Sequence, residues 1–136
     1  MKMQTVKSPK VPAAPPQTWT NCKVCNGQFF VSGTAASGPN ATSPGGDSMY
    51  EQARITFQKI KDCVEAAGGK MNDIISLTIF VTNLDEREEV WRARREFFTG
   101  DFPCCTLVEV TRVASPAIKP GLKVEINATG FIGAGA

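Results

Sequence analysis

The reactive side chains of this sequence are mainly thiols and carboxylates. Its 136 residues include five cysteines and no histidine, and two of the cysteines, Cys104 and Cys105, are adjacent in the segment GDFPCCTLVEVTRV. Without histidine the chain cannot form a Ser-His-Asp or Cys-His nucleophilic centre, and histidine general bases and most zinc sites are excluded as well. Carboxylate, thiol, arginine, lysine and backbone groups must therefore carry any reaction.

The spacing of the cysteines does not favour a metal or redox centre. Cys22 and Cys25 have Cys-x-x-Cys spacing, but Cys104 and Cys105 are adjacent and supply no second pair of that kind. The segment SPGGDS lacks the lysine of a phosphate-binding loop. We expect no metal and no cofactor. Cys105 itself could be a small buried residue, a ligand contact, or a nucleophile activated by a nearby cation or helix N-terminus.

Composition limits the class of protein further. The length fits one domain, and 42% hydrophobic with 21% charged residues is typical of a globular protein. No apolar run approaches the ~20 residues of a membrane-spanning helix, so we expect no membrane partner. The net charge of +2 comes from interspersed charges, which disfavours nucleic acid as the main partner. An odd number of cysteines indicates a reducing, cytoplasmic location. We expect an extended arm over residues 1–18 and a single domain over 19–136.

Local patterns predict the elements in order. Asn26-Gly27 between two β-prone segments predicts a tight hairpin. Ser48 and Glu51 form a capping box, and the helix after it should end at Gly68-Gly69. The inward face of that helix is predicted to carry Tyr50, Ala53, Phe57, Ile60, Val64 and Ala67.

The second half of the chain alternates strands with one further helix. Residues 74–81 are rich in β-branched residues and carry apolar side chains on both faces, which predicts a central strand covered on both sides. A second helix should begin at Asp85, and the strands TLVEVTRV and LKVEINATGFI should follow, separated by the loop ASPAIKPG. The order predicts an α+β fold with two helices packed on one face of a mixed β-sheet. Its other face should be covered by another copy of the chain.

Several separated blocks of the sequence resemble one known family. FFVSGTAA, VEAAGGKMNDIISLTIFVTNLDE, FPCCTLVEV and LKVEINATGF occur in the order and spacing of the RidA/YjgF family, also described as endoribonuclease L-PSP-like, and the resemblance covers residues 19–132. It implies a chorismate-mutase-like subunit in a homotrimer, with small-molecule pockets at the subunit interfaces. It also implies hydrolysis of reactive enamines and imines, such as 2-aminoacrylate, to a 2-keto acid and ammonia.

The resemblance assigns roles to particular residues. Glu125 matches a glutamate that orients water, although alternation with Val124 and Ile126 would by itself indicate only a solvated strand carboxylate. Ser32 and Gly33 match a segment whose backbone lines the pocket. Thr106 matches a small hydroxyl residue that contacts the substrate.

Other matched positions depart from the family pattern. Cys105 stands where an arginine would clamp the substrate carboxylate, and a thiol cannot replace that charge. Trp19 and Trp91 fall on pocket positions and make the predicted pocket bulkier, and Trp91 could equally pack at a subunit interface. The chain is therefore expected to be a divergent member. Five cations could replace the lost clamp, and the sequence does not choose among them: Arg92, Arg94, Arg95, Arg112 and Lys123.

Two hypotheses of function follow. The first is a Rid-family hydrolase that deaminates an enamine, an imine or a related small nitrogenous intermediate other than 2-aminoacrylate, with Glu125 as the catalytic residue. Its substrate contacts would be Trp19, Ser32, Gly33, Trp91, Cys105 and Thr106. The second is a non-catalytic trimeric protein that binds a small ligand in the same interface pocket. RNA cleavage or binding ranks last, because the chain shows no basic, aromatic-rich face.

Overall fold

One mixed β-sheet organises the chain in the computed structural model, which describes residues 2–135. Its strands are β1 (Gln4–Val6), β2 (Cys22–Cys25), β3 (Gln28–Thr34), β4 (Ile74–Val81), β5 (Cys104–Glu109) and β6 (Val124–Phe131), and its helices are α1 (Met49–Ala66) and α2 (Arg87–Arg94). The strand order is β1-β2-β3-β6-β4-β5, in which only β4 and β5 pair in parallel. Both helices pack on one face of the sheet, so the predicted α+β architecture is confirmed.

The hairpin at Asn26-Gly27 opens the domain as predicted. Asn26 and Gly27 have φ angles of 53° and 82°, the left-handed pair that a tight two-residue turn between right-twisted strands requires. Upstream of the hairpin, residues 4–6 pair antiparallel with β2 and form an edge strand of the sheet. Nothing in the arm's proline-rich composition predicts this strand.

The first helix follows its sequence signals closely. The Ser48 side chain accepts a hydrogen bond from the backbone N–H of Glu51 at 3.1 Å, and Gly68 ends the helix with a φ of 97°. Phe57, Ile60 and Val64 are fully buried against the sheet. None of the helices within residues 2–135 has the length and apolar composition to cross a membrane.

The second helix begins later than predicted. The Asn83 side chain accepts a hydrogen bond from the N–H of Asp85 and starts a 3₁₀ turn over Leu84–Glu86, so α2 itself starts at Arg87. The α-helix thus begins two residues after the predicted Asp85, because the first turn after the Asn83 cap is 3₁₀ and not α-helical. Val90 and Ala93 are buried against the core, as expected.

The sheet is covered on one face only within a single chain. On β4, Leu77, Ile79 and Val81 are buried beneath the helices, whereas Phe30 and Phe131 on the opposite face of the sheet are each 44% exposed. Ile75, at the register shift of β4 against β6, is 46% exposed. That a second copy covers this opposite face stays a prediction. We call the two sides the helix-covered face and the open face.

A buried glutamine ties α1 to the long loop before β6. The Gln52 side chain is fully buried, and its amide group donates hydrogen bonds to the carbonyls of Gly46 and Gly121 at 2.8 and 3.1 Å. Its carbonyl accepts one from the N–H of Lys123 at 2.8 Å. These bonds fix the loop of residues 110–123, which reaches the candidate site described below.

Candidate functional site

Glu125 lies on the open face, in the middle of β6. Its neighbours Val124 and Ile126 are fully buried on the helix-covered face, and Glu125 is half-buried on the other. The register pairs it with Phe80 of β4. Strand alternation thus places the carboxylate on the face opposite its buried neighbours, as the sequence predicts.

Two other segments hold the Glu125 carboxylate. Its Oε1 atom accepts a hydrogen bond from the backbone N–H of Ala114 at 3.1 Å, at a point where the φ of Ala114 is 53°. Its Oε2 atom packs directly on Gly33, where any Cβ would overlap it. The pairing of β3 with β6 shifts register between Val31 and Thr34, and this irregularity brings the Gly33 backbone under the carboxylate.

Ser32 immediately precedes Gly33 on β3, and Trp19 lies near Ser32. The Ser32 N–H donates to the carbonyl of Asn21 at 2.9 Å, and the Trp19 indole N–H donates to the Asn21 side chain at 3.0 Å. A depression of about 510 Å³ is lined by Met3, Trp19, Thr20, Lys23, Phe30 and Ser32, and Gly33 and Glu125 are not among its lining residues. We call the group Trp19, Ser32, Gly33 and Glu125 the sheet-face half-site.

The adjacent residues Cys105 and Thr106 point to opposite faces of the sheet. Residues paired across neighbouring strands share a face of the sheet. Thr106 pairs with Thr78 on the open face, whereas Cys105 pairs with Leu77, which is buried on the helix-covered face. Thr106 therefore shares a face with Glu125, and Cys105 does not. The structure does not bring Cys105 and Glu125 together within one chain, although the resemblance implies that both contact one substrate.

Cys105 instead lies beside Arg94 of α2. Although the residue is exposed at the sheet edge, burial of the sulfur raises the pKa of the Cys105 thiol; the nearby Arg94 guanidinium acts in the opposite direction without overcoming that effect. A neutral thiol is a poor nucleophile, so the geometry favours a contact role for Cys105 over covalent chemistry.

Trp91 belongs to the same side of α2 as Arg94. The two residues are three positions apart, which makes them neighbours on the helix surface. The Arg87 guanidinium lies 5.8 Å from the centre of the Trp91 ring. We call Trp91, Arg94 and Cys105 the edge half-site, because β5 is an edge strand of the sheet.

Arg94 is the functional candidate that the sequence could not select. Arg92 is engaged with Glu89 at 2.6 Å, Arg95 lies 3.8 Å from Glu88, and Lys123 lies near Asp47 and Glu86. Within residues 2–135, Arg94 forms no ion pair, and its Nε atom is buried without a hydrogen-bond partner. Arg112 likewise forms no ion pair among these residues, so Arg94 is distinguished by its buried Nε atom and by its contact with Cys105.

The remaining thiols do not form a metal site. Across the described part of the chain, no group of three His, Cys, Asp or Glu side chains is placed to hold a metal ion. Cys22 and Cys63 are both buried, and burial, with a smaller contribution from Cys63, raises the pKa of Cys22 to about 12. These two cysteines serve as core residues.

A comparison with family models decides the relationship. The model described as endoribonuclease L-PSP matches residues 11–132. The chain belongs to the endoribonuclease L-PSP family. L-PSP relatives include the 2-iminobutanoate/2-iminopropanoate deaminases of Salmonella typhimurium, 35% identical over 60% of this chain and 62% of that protein, and of Escherichia coli K12, 38% identical over 57% and 59%. The resemblance to RidA/YjgF proteins is thereby confirmed.

Solved L-PSP structures share the fold. The YjgF gene product of E. coli superposes with a TM-score of 0.80 at 28% identity, over 94% of this chain and 98% of that one. A protein of unknown function from Pseudomonas aeruginosa superposes with a TM-score of 0.83 at 29% identity, over 97% and 94%. In sequence, this L-PSP chain spans about three fifths of the length of the two deaminases above.

Proposed function

We propose that this protein hydrolyses a reactive enamine or imine, other than 2-aminoacrylate, to a carbonyl compound and ammonia. The names of its deaminase relatives support the reaction class. The observation that carries the proposal is the Glu125 carboxylate, which is held by one backbone N–H and packed on Gly33 on the open face. A carboxylate held in this way has no cation among residues 2–135 bound to it and can therefore orient a water molecule.

The chemistry needs one acid/base group and one water. An enamine takes a proton at carbon and gives up a proton from nitrogen, becoming an imine. Water then adds to the imine carbon, so that a C–O bond forms and the π electron pair moves to nitrogen, which takes a proton. The nitrogen takes a second proton, the C–N bond breaks so that ammonia leaves, and the hydroxyl group gives up its proton as the C=O bond forms. In the proposal, Glu125 Oε2 receives the proton of the attacking water and returns it to the departing nitrogen.

The pocket is proposed to be composite. The sheet-face half-site and the edge half-site lie on opposite faces of the sheet, so a single chain cannot place both against one small molecule. A second copy docked on the open face would bring its edge half-site to Glu125 of the first. The exposed apolar residues Phe30, Val108 and Phe131 fit such a contact. We therefore propose a homotrimer with interface pockets, as the resemblance implies.

The protein is also proposed to work in a reducing, cytoplasmic compartment. All five cysteines are free thiols, and two of them are exposed. Exposed free thiols persist where glutathione and thioredoxin keep them reduced.

A binding protein without turnover is the second candidate. The neutral, raised-pKa thiol of Cys105 favours it, because position 105 contributes no positive charge to a substrate carboxylate. Such a protein would keep the half-sites and be stabilised by small ligands without releasing ammonia.

A trapping assay separates the two. A serine dehydratase would supply 2-aminoacrylate and an L-amino acid oxidase would supply larger imino acids, with semicarbazide reporting the surviving imine. We expect the protein to shorten the lifetime of oxidase-generated imines and to leave 2-aminoacrylate largely unaffected. Glu125→Gln should lose roughly 10²- to 10⁴-fold in rate, the usual contribution of a general acid/base.

Glu109→Gln is the matched control. Glu109 is also a strand glutamate that accepts one backbone N–H, from Leu84 at 3.0 Å, but it pairs with Val81 on the helix-covered face. The Glu109→Gln variant should keep wild-type activity. Ligand-induced stabilisation with no acceleration for any imine would overturn the hydrolase in favour of the binder.

A further inference from the structure

The Arg94 guanidinium has no carboxylate partner among the described residues. Its Nε atom is buried without a hydrogen bond, and it forms no ion pair with any residue from 2 to 135. Burying a guanidinium N–H without an acceptor costs free energy, because the group loses its water and gains nothing in return. A buried polar atom in this state is the feature that an anionic ligand would satisfy.

The nearby carboxylates are engaged elsewhere. Glu89 bonds to Arg92 and Glu88 faces Arg95. Glu96 accepts a hydrogen bond from the hydroxyl of Tyr50, across from α1. Among Arg92, Arg94 and Arg95, Arg94 is therefore the one without a carboxylate partner in residues 2–135, and it lies beside Cys105 of the edge strand.

The surroundings of Arg94 are apolar and open at the surface. Its guanidinium carbon lies 5.7 Å from the centre of the Phe102 ring, and that ring is 41% exposed. Phe102 is itself positioned by Phe98, with ring centres 5.9 Å apart. Cys105 also contacts the Arg94 guanidinium, and because its thiol is neutral, this contact does not offset the charge of the arginine.

We propose that Arg94, between Phe102 and Cys105, forms an anion subsite that takes the carboxylate of a small organic acid bearing an apolar or aromatic group. The guanidinium fork suits a planar carboxylate, and the exposed Phe102 ring offers a surface on which an apolar group can pack. The inference rests on the proposed function, since this subsite anchors the substrate of the proposed hydrolysis. It moves the anchoring charge from position 105 of β5 to α2.

Three probes test the charge and the ring separately. Benzoate carries both, benzamide is its neutral analogue, and acetate lacks the ring; each is titrated by calorimetry into the full-length protein. Benzoate should bind at least several-fold tighter than either. Arg94→Gln should weaken benzoate by roughly 10- to 100-fold, the range for losing a hydrogen bond to a charged group. Arg94→Lys should fall between, because it keeps the charge and loses the fork.

Arg95→Gln is the matched control, one residue along and exposed, and it should bind benzoate as the wild type does. If Arg94→Gln does not fold, NMR of the wild-type protein provides a second test. Benzoate should shift the Nε–H resonance of Arg94, which is assigned as the arginine signal that is lost in Arg94→Lys. Equal benzoate affinity in Arg94→Lys, Arg94→Gln and wild type, or an unmoved Arg94 resonance, would overturn the subsite. So would benzamide binding as tightly as benzoate.

The two proposals can fail separately. Hydrolysis of oxidase-generated imines that is unaffected by Arg94→Gln in KM and kcat would retain the proposed function and reject the subsite. Arg94-dependent benzoate binding without any hydrolysis would reject the hydrolase and retain the subsite.

Discussion

The Glu125 carboxylate rests on the backbone of Gly33, so closely that a methyl group at position 33 would occupy the place of Oε2. The contact joins β6 to the irregular stretch of β3, and the N–H of Ala114 fixes the other carboxylate oxygen. The position of the proposed general base therefore depends on the absence of one side chain.

Gly33→Ala should displace that carboxylate without unfolding the protein. The overlapping atoms are the flexible end of Glu125, so the side chain can rotate away at little cost in stability. We expect imine hydrolysis to fall by about 10²-fold, as small misplacements of a catalytic group do. The midpoint of thermal unfolding should change little.

Gly121→Ala provides the matched control, because a Cβ there meets no atom within 4 Å. Activity that survives in Gly33→Ala as fully as in Gly121→Ala would argue against Glu125 as the residue that orients water.

Asp73 should make the stability depend on acid pH. Burial alone would raise the pKa of this carboxyl, but backbone hydrogen bonds from Gly135, Gly133 and Lys70 outweigh it and hold the pKa below its ordinary value of 3.8. A depressed folded-state pKa means that the stabilisation is complete above about pH 4 and is lost as the pH falls through the folded value. Asp73→Asn should lower the free energy of unfolding at pH 7 by about 1–3 kcal/mol, the cost of disrupting such buried hydrogen bonds.

Urea unfolding at pH 7 and near pH 3 measures this effect. The gap between wild type and Asp73→Asn should narrow at the lower pH, because the wild-type carboxyl begins to take up its proton. A gap of constant size at both pH values would show that the charge of Asp73 is not what stabilises the fold.

The reactivity of the five thiols should follow their burial. Cys22 is fully buried with its pKa raised to about 12, and burial also raises the pKa of Cys63. Under native conditions at pH 8, a disulfide reagent should leave both unmodified, and in guanidinium chloride all five thiols should react. Peptide mapping by mass spectrometry identifies the modified residues. Rapid native labelling of Cys22 would contradict the packing of β2 against α1.

Mixed assemblies should show whether the pocket is composite. Glu125→Gln and Arg94→Gln chains are unfolded together, refolded in equal amounts and assayed at a substrate concentration far below KM, where each variant alone should have little activity. If each pocket takes Glu125 from one copy and Arg94 from its neighbour, every mixed trimer holds one intact pocket, and about one quarter of the wild-type activity should return. A mixture no more active than its parents would place both residues in the same pocket of one chain, or in none.

Local signals made much of the fold predictable. The Asn26-Gly27 turn and the Ser48 cap depend on residues a few positions apart, and both form as their sequences indicate. The orientation of Glu125 followed from alternation with its buried neighbours. The edge strand at residues 4–6 was missed, because three residues carry no pattern and their pairing depends on where the chain returns.

The candidate site was predictable only in part, for a physical reason. The resemblance named Glu125 and Gly33, but it could not choose Arg94 among the three arginines of the segment WRARR. That choice depends on the start of α2 at Arg87, on its rotation against the core, and on which face of β5 carries Cys105. These are tertiary relationships, and neighbouring residues do not encode them.

Cys104 and Cys105 lie next to each other in the sequence but on different surfaces of the molecule, because a strand alternates its side chains. The two sulfurs therefore cannot both bind one trivalent arsenic atom, as two thiols on the same surface can. A substitution at one of them leaves the environment of the other largely intact. Cys104 and Cys105 are thus two independent positions, and each can be substituted according to the needs of its own face of the sheet.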